Sequence, residues 1–289
     1  MKVKFVFIFF FLFLSNCSSS SSKRTVASNE TDETWKMVGE EKFSFFDSVL
    51  RGQGIVSDNI GNIYFSSNHS LIKTNIKRLD KADMSNVFPF KDLKKLGINH
   101  IGDIDLIGNK IIAPMEDGGT YKNPVISFFD ASHLSFIGYV NLPLDIQPDG
   151  VPWTCAIPEK NIIISSRYNN VSEFNVYNLD SVNLKNHSID SMENIKLPGI
   201  INGIQGVKFY NDAFYIASNR KSDNGFPILK FNLHTNKINQ VAFLPEEVTE
   251  IEGLTFIKDE NNAVHEMLVL GIIENKLKRR IKVYKFQIN

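Results

Sequence analysis

A repeat of about fifty residues is the feature that most constrains how this chain can fold. Five short apolar segments can be set in register so that one residue of each falls in a single column. The column residues are Gln53, Gly102, Trp153, Gln205 and Glu252. They follow one another at steps of 49, 51, 52 and 47 residues. A repeat of this length is one supersecondary unit, which must stack on its neighbours to bury its apolar face.

Each repeat predicts up to four β-strands. The short strand of the column residue and a polar turn lead to a β-branched and aromatic run, such as NIYFSS (62–67) or AFYIAS (213–218). A third such run follows, and several repeats close with a fourth that ends in Leu-Pro (142–143 and 244–245). Four strands at a period of roughly 40–50 residues are the pattern of a β-propeller blade. We therefore predict an all-β propeller of five four-stranded blades over residues 35–289.

The two ends of the repeat array predict how the ring closes. The fifth repeat ends after its third strand, while a spare β run, EKFSFFDSV (41–49), precedes the first repeat. Pairing this N-terminal strand into the last blade closes the ring and removes two exposed sheet edges. Six blades are the alternative if residues 78–97 contain a degenerate repeat, although FKDLKKLG (90–97) favours a short helical turn.

The N-terminal residues predict export. Two lysines precede an unbroken apolar run, Phe5–Leu14, which is too short to span a bilayer because roughly 20 residues are needed. This is the pattern of a signal peptide, which we place at residues 1–16. Residues 17–34 begin with Cys17 and continue through a run of serines, as a flexible tether does.

The segment Leu14-Ser15-Asn16-Cys17 resembles the lipobox of bacterial lipoproteins. The resemblance implies that Cys17 carries the lipid and anchors the protein in the bacterial cell envelope, at the outer membrane or cell surface. The alternative is an ordinary signal peptide followed by a chance cysteine. The second cysteine, Cys155, is flanked by apolar residues and is interpreted as an inert part of the core.

The charge balance argues against nucleic acid as a partner. Lys and Arg number 32 and Asp and Glu number 32, whereas a nucleic-acid-binding domain presents a basic face. The basic cluster Lys276–Arg280 lies between two apolar runs and is interpreted as a solvated loop.

The propeller geometry predicts a ligand site at one mouth of the central channel. The innermost strand of a blade begins on the face where the second strand ends, so the column residues and the second-strand ends form one ring. The second-strand ends are Asn68, Glu116, Arg167, Asn219 and Glu274. A concave place with several convergent polar groups is where ligands bind most often.

Glu252 has two interpretations. It is either a polar residue of a watery channel, satisfied by backbone N–H groups or by Gln205, or the centre of a ligand or cation site. In the second case Asp103 and Glu116 supply further oxygen atoms and Asn219 a neutral one. Calcium prefers six to eight oxygen ligands of this kind.

Three further residues are candidates for the same mouth. His100 lies near Asp103 in the sequence and is either a general base or metal ligand, or part of a capped turn. Trp153 either floors the mouth or packs between blades. Arg167 either binds an anionic ligand group or forms a salt bridge with Glu116.

The blade pattern, with Glu252-Gly-Leu at the head of a strand, resembles exported propellers of the gluconolactonase-like and TolB-like superfamily. In its gluconolactonase-like members a glutamate at such a position binds calcium at the channel mouth. The resemblance implies a calcium-dependent lactonase or esterase-type hydrolase, in which Glu252 and Asp103 hold the metal and His100 is the general base. The other hypothesis is a membrane-anchored propeller that binds a small ligand or protein partner at the top of its channel.

Overall fold

The computed structural model describes residues 33–89, 91–275 and 278–289. The predicted signal peptide (1–16), Cys17 and the tether up to residue 32 lie outside the described residues. Within the described residues, helices long and apolar enough to cross a membrane are absent.

The described chain forms five antiparallel blades, which confirms the predicted five-bladed propeller. The strands of the first two blades are β2 Gly54–Ser57, β3 Asn62–Ser67, β4 Ser70–Asn75 and β5 Arg78–Val87, then β6 His100–Ile101, β7 Asp105–Ile107, β8 Lys110–Glu116, β9 Val125–Asp130 and β10 Phe136–Asn141. Those of the third and fourth are β11 Cys155–Ile157, β12 Ile162–Ser165, β13 Val171–Asn178 and β14 Ile195–Ile201, then β15 Ile204–Tyr210, β16 Ala213–Ser218, β17 Phe226–Asn232 and β18 Lys237–Leu244. The fifth has β19 Glu250–Lys258, β20 Val264–Asn275, β21 Lys278–Ile288 and the N-terminal β1 Trp35–Lys42.

Short helices connect some of the strands. The 3-10 helices are Lys91–Leu96, Pro158–Lys160 and Leu179–Ser181. The first of them confirms the helical turn expected near residues 90–97. Since β5 is the outer strand of blade 1 and β6 already belongs to blade 2, the alternative of a sixth blade is excluded.

The ring closes through an N-terminal strand, but a different one from the segment predicted. The closing strand is β1, which pairs antiparallel with β21 from Trp35 opposite Ile288 to Lys42 opposite Lys282. Most of the predicted strand 41–49 lies instead in helix α1, Phe45–Val49. The reason is local, because Ser44 is the N-cap of this helix. Its side chain accepts a hydrogen bond from the backbone N–H of Asp47.

The closing strand determines the face on which the described part of the chain begins and ends. We define the top face as the one where the innermost strands begin. Strand β21 runs from top to bottom, so its antiparallel partner β1 starts at the bottom and ends near α1 at the top. The backbone N–H of Asn289 donates to the carbonyl of Thr34 over 3.1 Å, so the described chain begins and ends on the bottom face.

Apolar side chains fill the spaces between blades. An aromatic series in the core contains Trp153, whose ring meets that of Phe174 edge-on at 5.2 Å. Phe174 in turn meets Phe214 at 5.2 Å. Trp153 is fully buried, so the structure places it in the packing between blades and away from solvent at the mouth.

Candidate functional site

A cavity of about 480 Å³ opens at the top end of the propeller axis. We call it the top cavity. Four of the predicted site residues line it: Gln53, His100, Glu116 and Gln205. Residues that the sequence did not single out complete much of the wall: Tyr121, Asp149, Tyr168 and Glu250. The innermost strands and the ends of the second strands thus converge as the repeat predicted.

One side of the top cavity is a chain of polar contacts centred on His100. Its Nε2 lies 3.0 Å from Oε1 of Gln53. Its Nδ1 lies 3.1 Å from Oε1 of Glu116, a distance that suits an ion pair although the direction does not suit a hydrogen bond. The other oxygen of Glu116 accepts the backbone N–H of Val151 over 2.6 Å. The imidazole is therefore held between an amide and a carboxylate at the cavity wall.

The opposite side is organised around Glu250 at the start of β19. Its Oε1 accepts hydrogen bonds from the side-chain amides of Gln205 and Asn219, each over 3.2 Å. The carbonyl oxygen of the Asn219 amide accepts the backbone N–H of Ile251 over 2.7 Å. Asn219 therefore fixes both the strand end and the carboxylate, and Glu250 faces the cavity with a defined orientation.

Glu252 lies beneath this wall, with 1% of its surface exposed. Its Oε1 is 3.5 Å from Nε2 of Gln53 and 3.7 Å from Nη2 of Arg279, so both contacts are long. Burial raises the pKa of Glu252 well above its usual value, and the charge of Glu250 raises it further. Burial therefore favours the neutral, protonated form of this carboxyl group.

Asp103 lies deeper on the axis, between blades. Its Oδ2 accepts a hydrogen bond from Nζ of Lys208 over 2.8 Å, and its Oδ1 accepts the backbone N–H of Ile55 over 3.1 Å. Burial raises the pKa of Asp103 to about 7 against the opposing effect of Lys208. Burial alone lowers the pKa of Lys208, but the carboxylates of Asp103 and Asp105 raise it above its usual value.

Glycines crowd around this ion pair. A Cβ atom on Gly253 would lie 2.2 Å from Oδ1 of Asp103 and 2.9 Å from Cα of Gly54. The glycine after Glu252 therefore allows the strands to approach one another at the axis, as the sequence suggested. Asp103, Lys208 and these glycines close the channel below the top cavity.

The remaining predicted residues lie around the mouth or below it. Arg167 is 3.5 Å from Asp149 at the cavity rim, so its ion-pair partner is Asp149 and Glu116 is not. Asn68 lines a smaller neighbouring pocket together with Arg279. Cys155 is fully buried, and burial raises the pKa of its thiol.

The geometry bears on the predicted calcium ligands. Both oxygens of Asp103 have protein partners, and burial favours the neutral form of Glu252, so binding of calcium by this pair would require both residues to exchange their present surroundings. Across residues 33–89, 91–275 and 278–289, clusters of three or more His, Cys, Asp or Glu side chains suited to a metal are absent. A calcium ion on Asp103 would have to displace Lys208.

Comparisons with known proteins support the architecture alone. Neither a protein-family model nor a curated protein matches the sequence. A solved tail fibre of a Staphylococcus aureus phage is similar over 88% of this chain at 15% identity, with a TM-score of 0.55. A structural-genomics protein of unknown function from Bacteroides thetaiotaomicron is similar over 89% of this chain and 76% of its own, at 9% identity and a TM-score of 0.50.

A third solved structure, described as the Dos1 propeller, is similar over 82% of this chain and 68% of its own, at 11% identity and a TM-score of 0.44. The chain spans about half the length of the phage tail fibre, 53%. At these identities the likeness concerns the fold and does not extend to a gluconolactonase-like or TolB-like family.

Proposed function

We propose that the protein is an exported, membrane-anchored propeller that binds a small polar ligand in the top cavity. The observation that carries this proposal is the cavity itself, a space of about 480 Å³ with directed polar groups on its wall. Volumes of roughly 300–1,000 Å³ with a few convergent polar groups are typical of small-molecule sites. Because the buried residues Asp103 and Lys208 occupy the axis below, we take the cavity to be closed at its lower end.

The charges of the wall favour an uncharged ligand. His100 lies 3.1 Å from Glu116, Arg167 lies 3.5 Å from Asp149, and Arg279 lies 3.6 Å from Glu250. Asp149 and Glu250 therefore each have an opposite charge close by, and Glu116 has one when His100 is protonated. What the wall offers in addition is amide and phenol groups, which exchange hydrogen bonds with the hydroxyl, carbonyl or amide groups of a neutral molecule.

The membrane anchor is part of the same proposal and depends on Cys17. Lipidation is tested by mass spectrometry of the mature chain purified from a bacterial host. An N-terminal diacylglyceryl cysteine at Cys17, absent from Cys17→Ser, is the expected result. A mature N-terminus at any other residue would contradict the anchor without affecting the ligand site.

A calcium-dependent hydrolase is the second candidate, because one observation favours it. His100 stands at the cavity wall with a carboxylate on one ring nitrogen and an amide oxygen on the other. A carboxylate-oriented imidazole at an open site is a common arrangement for a general base. If calcium binds, Glu252 and Asp103 are the residues proposed to hold it, and the metal would polarise the bond to be hydrolysed.

One set of variants tests ligand binding. The melting temperature of the protein is measured against a panel of neutral sugars, amides and amino acids, and against organic anions as a contrast. A neutral compound should raise the melting temperature of the wild type, and Gln205→Ala should weaken that effect at least about tenfold in concentration. Gln240→Ala, an exposed glutamine of the outer strand β18, is the matched control and should respond as the wild type does.

The same panel separates the two candidates. If the metal site exists, calcium should raise the melting temperature of the wild type, and Glu252→Gln should abolish that increase. Turnover of lactone or ester substrates that disappears in His100→Gln would favour the hydrolase. Stabilisation by a neutral ligand without a calcium effect or turnover supports the binding protein, and a panel without any active compound would contradict it.

A further inference from the structure

The top face of blade 1 carries a group of large apolar side chains that are open to solvent. Phe45, Phe46 and Val49 belong to the short helix α1, and Phe88 follows the outer strand β5. Phe46 is 79% exposed, and the other three are about half exposed or more. We call these four residues the apolar rim. Soluble proteins keep contiguous exposed apolar surfaces small, and larger ones mark an interaction surface.

The members of the apolar rim are connected through ring contacts and a shared pocket. The rings of Phe45 and Phe46 meet at 5.7 Å. Phe45, Val49 and His69 line one pocket of about 200 Å³. The ring of Phe88 stacks on that of His69 at 5.7 Å. Phe88 has a φ of 60°, a conformation that bulky side chains rarely adopt, so the fold holds this ring at the surface against its backbone preference.

Basic residues flank the apolar rim on both sides. The 3-10 helix Lys91–Leu96 begins three residues after Phe88. Its exposed lysines are Lys91, Lys94 and Lys95. On the other side, Arg279 lines the same pocket as Phe45, and Arg280 follows it, also exposed.

Acidic side chains offset the charge of Arg279, which lies 3.6 Å from Glu250, but they leave the lysines of the 3-10 helix in excess. Asp47 is bound to the fully buried Arg51 at 2.6 Å. Glu274 is exposed and stands opposite Arg279 in the β20–β21 pairing. The helical turn of sequence Lys-Asp-Leu-Lys-Lys (91–95) has a net charge of two positive units, three lysines against one aspartate.

We propose that the apolar rim and its flanking basic residues seat the top face of blade 1 on an anionic phospholipid surface. Exposed phenylalanines beside lysine and arginine are what a peripheral protein inserts at the boundary of headgroups and acyl chains. Basic side chains at that depth are attracted to anionic headgroups within a Debye length. The proposal uses neither the top cavity nor Cys17, so it stands if either part of the proposed function fails.

A tryptophan reporter tests this contact on the full chain. The native tryptophans, Trp35 and Trp153, are buried, so we expect their fluorescence not to respond to lipid. In Phe46→Trp, the fluorescence should shift to the blue and be quenched by brominated lipid when phosphatidylcholine vesicles contain phosphatidylglycerol. The matched control is Ile60→Trp, at an 87% exposed apolar position in a turn of the bottom face. Its spectrum should not change.

The contrast between the two reporters remains valid if the leader or a lipid anchor also binds vesicles, because such binding acts on both variants. Lys94→Glu with Lys95→Glu in the Phe46→Trp chain should weaken the response to anionic vesicles by about tenfold or more. No shift in Phe46→Trp, an equal shift in Ile60→Trp, or an equal response to neutral vesicles would overturn the proposal. A shift that follows protein concentration without vesicles would instead indicate that a second copy covers the rim.

Discussion

Asp103 and Glu252 are both carboxyl groups buried near the propeller axis, but their surroundings differ. Asp103 accepts hydrogen bonds at 2.8 Å from Lys208 and at 3.1 Å from the backbone of Ile55. Glu252 has contacts of 3.5 and 3.7 Å with Gln53 and Arg279. The first carboxyl group has a buried cationic partner, whereas the second lacks a close one and burial raises its pKa.

Along the propeller axis, Asp103 therefore contributes to the structure, whereas Glu252 lies beneath the candidate site. A buried carboxylate with its own lysine contributes to holding the blades in register, because removing either partner leaves an uncompensated charge. A buried acid without a close partner has a raised pKa and lowers stability at the pH values where the unfolded chain ionises. The sequence placed both residues at one mouth, and the structure assigns them different environments.

Substitution of Lys208 should have the largest effect on the free energy of unfolding. Lys208→Met leaves Asp103 without its cationic partner in the interior, at a cost of about 3–5 kcal/mol in the free energy of unfolding. Chemical denaturation measures this cost. Lys160→Met removes an exposed lysine paired with Asp212 at 3.3 Å and should cost less than about 1 kcal/mol. Equal losses in the two variants would show that the buried pair has no special weight.

A methyl group on Gly253 should have the next largest effect. Gly253→Ala places Cβ 2.2 Å from Oδ1 of Asp103 and 2.9 Å from Cα of Gly54, so strands at the axis must move apart. We expect a loss of about 1–3 kcal/mol in unfolding free energy, as in other overpacked cores. The control is Gly199→Ala, where a new Cβ meets no atom within 4 Å. A Gly253→Ala protein as stable as this control would contradict the crowding at the axis.

Glu252→Gln should be close to neutral in acid and increasingly favourable as the pH rises. Below the ordinary glutamate pKa of 4.5 both folded and unfolded wild type keep the proton, so the change should be within about 1 kcal/mol. Above it the unfolded chain ionises while folded Glu252, with its raised pKa, does not, so wild-type stability falls. Glutamine does not titrate and lacks this loss.

Denaturation curves of wild type and Glu252→Gln at several pH values, from about pH 5 upward, measure this difference. A difference that is constant with pH would mean that Glu252 ionises normally in the folded protein. Asp103→Asn provides a comparison, because it removes an acid that has a cationic partner at 2.8 Å.

The smallest expected effect is that of Arg279→Met. Arg279 is about half exposed and stands 3.6 Å from Glu250 and 3.7 Å from Glu252, so its loss should cost less than about 0.5 kcal/mol. Added salt should reduce even this difference. The neighbouring exposed Arg280→Met is the control for loss of a positive charge. A loss as large as that of Lys208→Met would make Arg279 the true partner of Glu252.

The repeat predicted the fold because the positions of the strands and the order of the blades follow from the pattern of apolar and polar residues within each repeat. The position of the closing strand did not follow, since Phe43, Phe45 and Phe46 suit a strand by composition. Their fate depends on the Ser44 cap, a signal present in the sequence but weaker than the aromatic run.

Site residues were predicted with similar limits. Gln53, Glu116 and Gln205 line the cavity at blade positions that recur, and the repeat reports such positions directly, whereas His100 was found through its closeness to Asp103 in the sequence. The partner of Asp103 could not be found in this way, because Lys208 is 105 residues distant in the chain. One signal was available: a lysine between Val207 and Phe209 in an innermost strand is an unusual residue to face inward. Tyr121 and Asp149 lie in loops, where the repeat has no period.

The pairing of β1 with β21 also governs how the chain can reach its folded state. Of the described strands, the first in the sequence pairs with the last, from Trp35 with Ile288 to Lys42 with Lys282. Until the end of the chain is available, blade 5 cannot be completed and the ring remains open, with unpaired edges exposed. We therefore expect the ring to close only after β21 has been synthesised, and variants truncated before β21 to associate or be degraded.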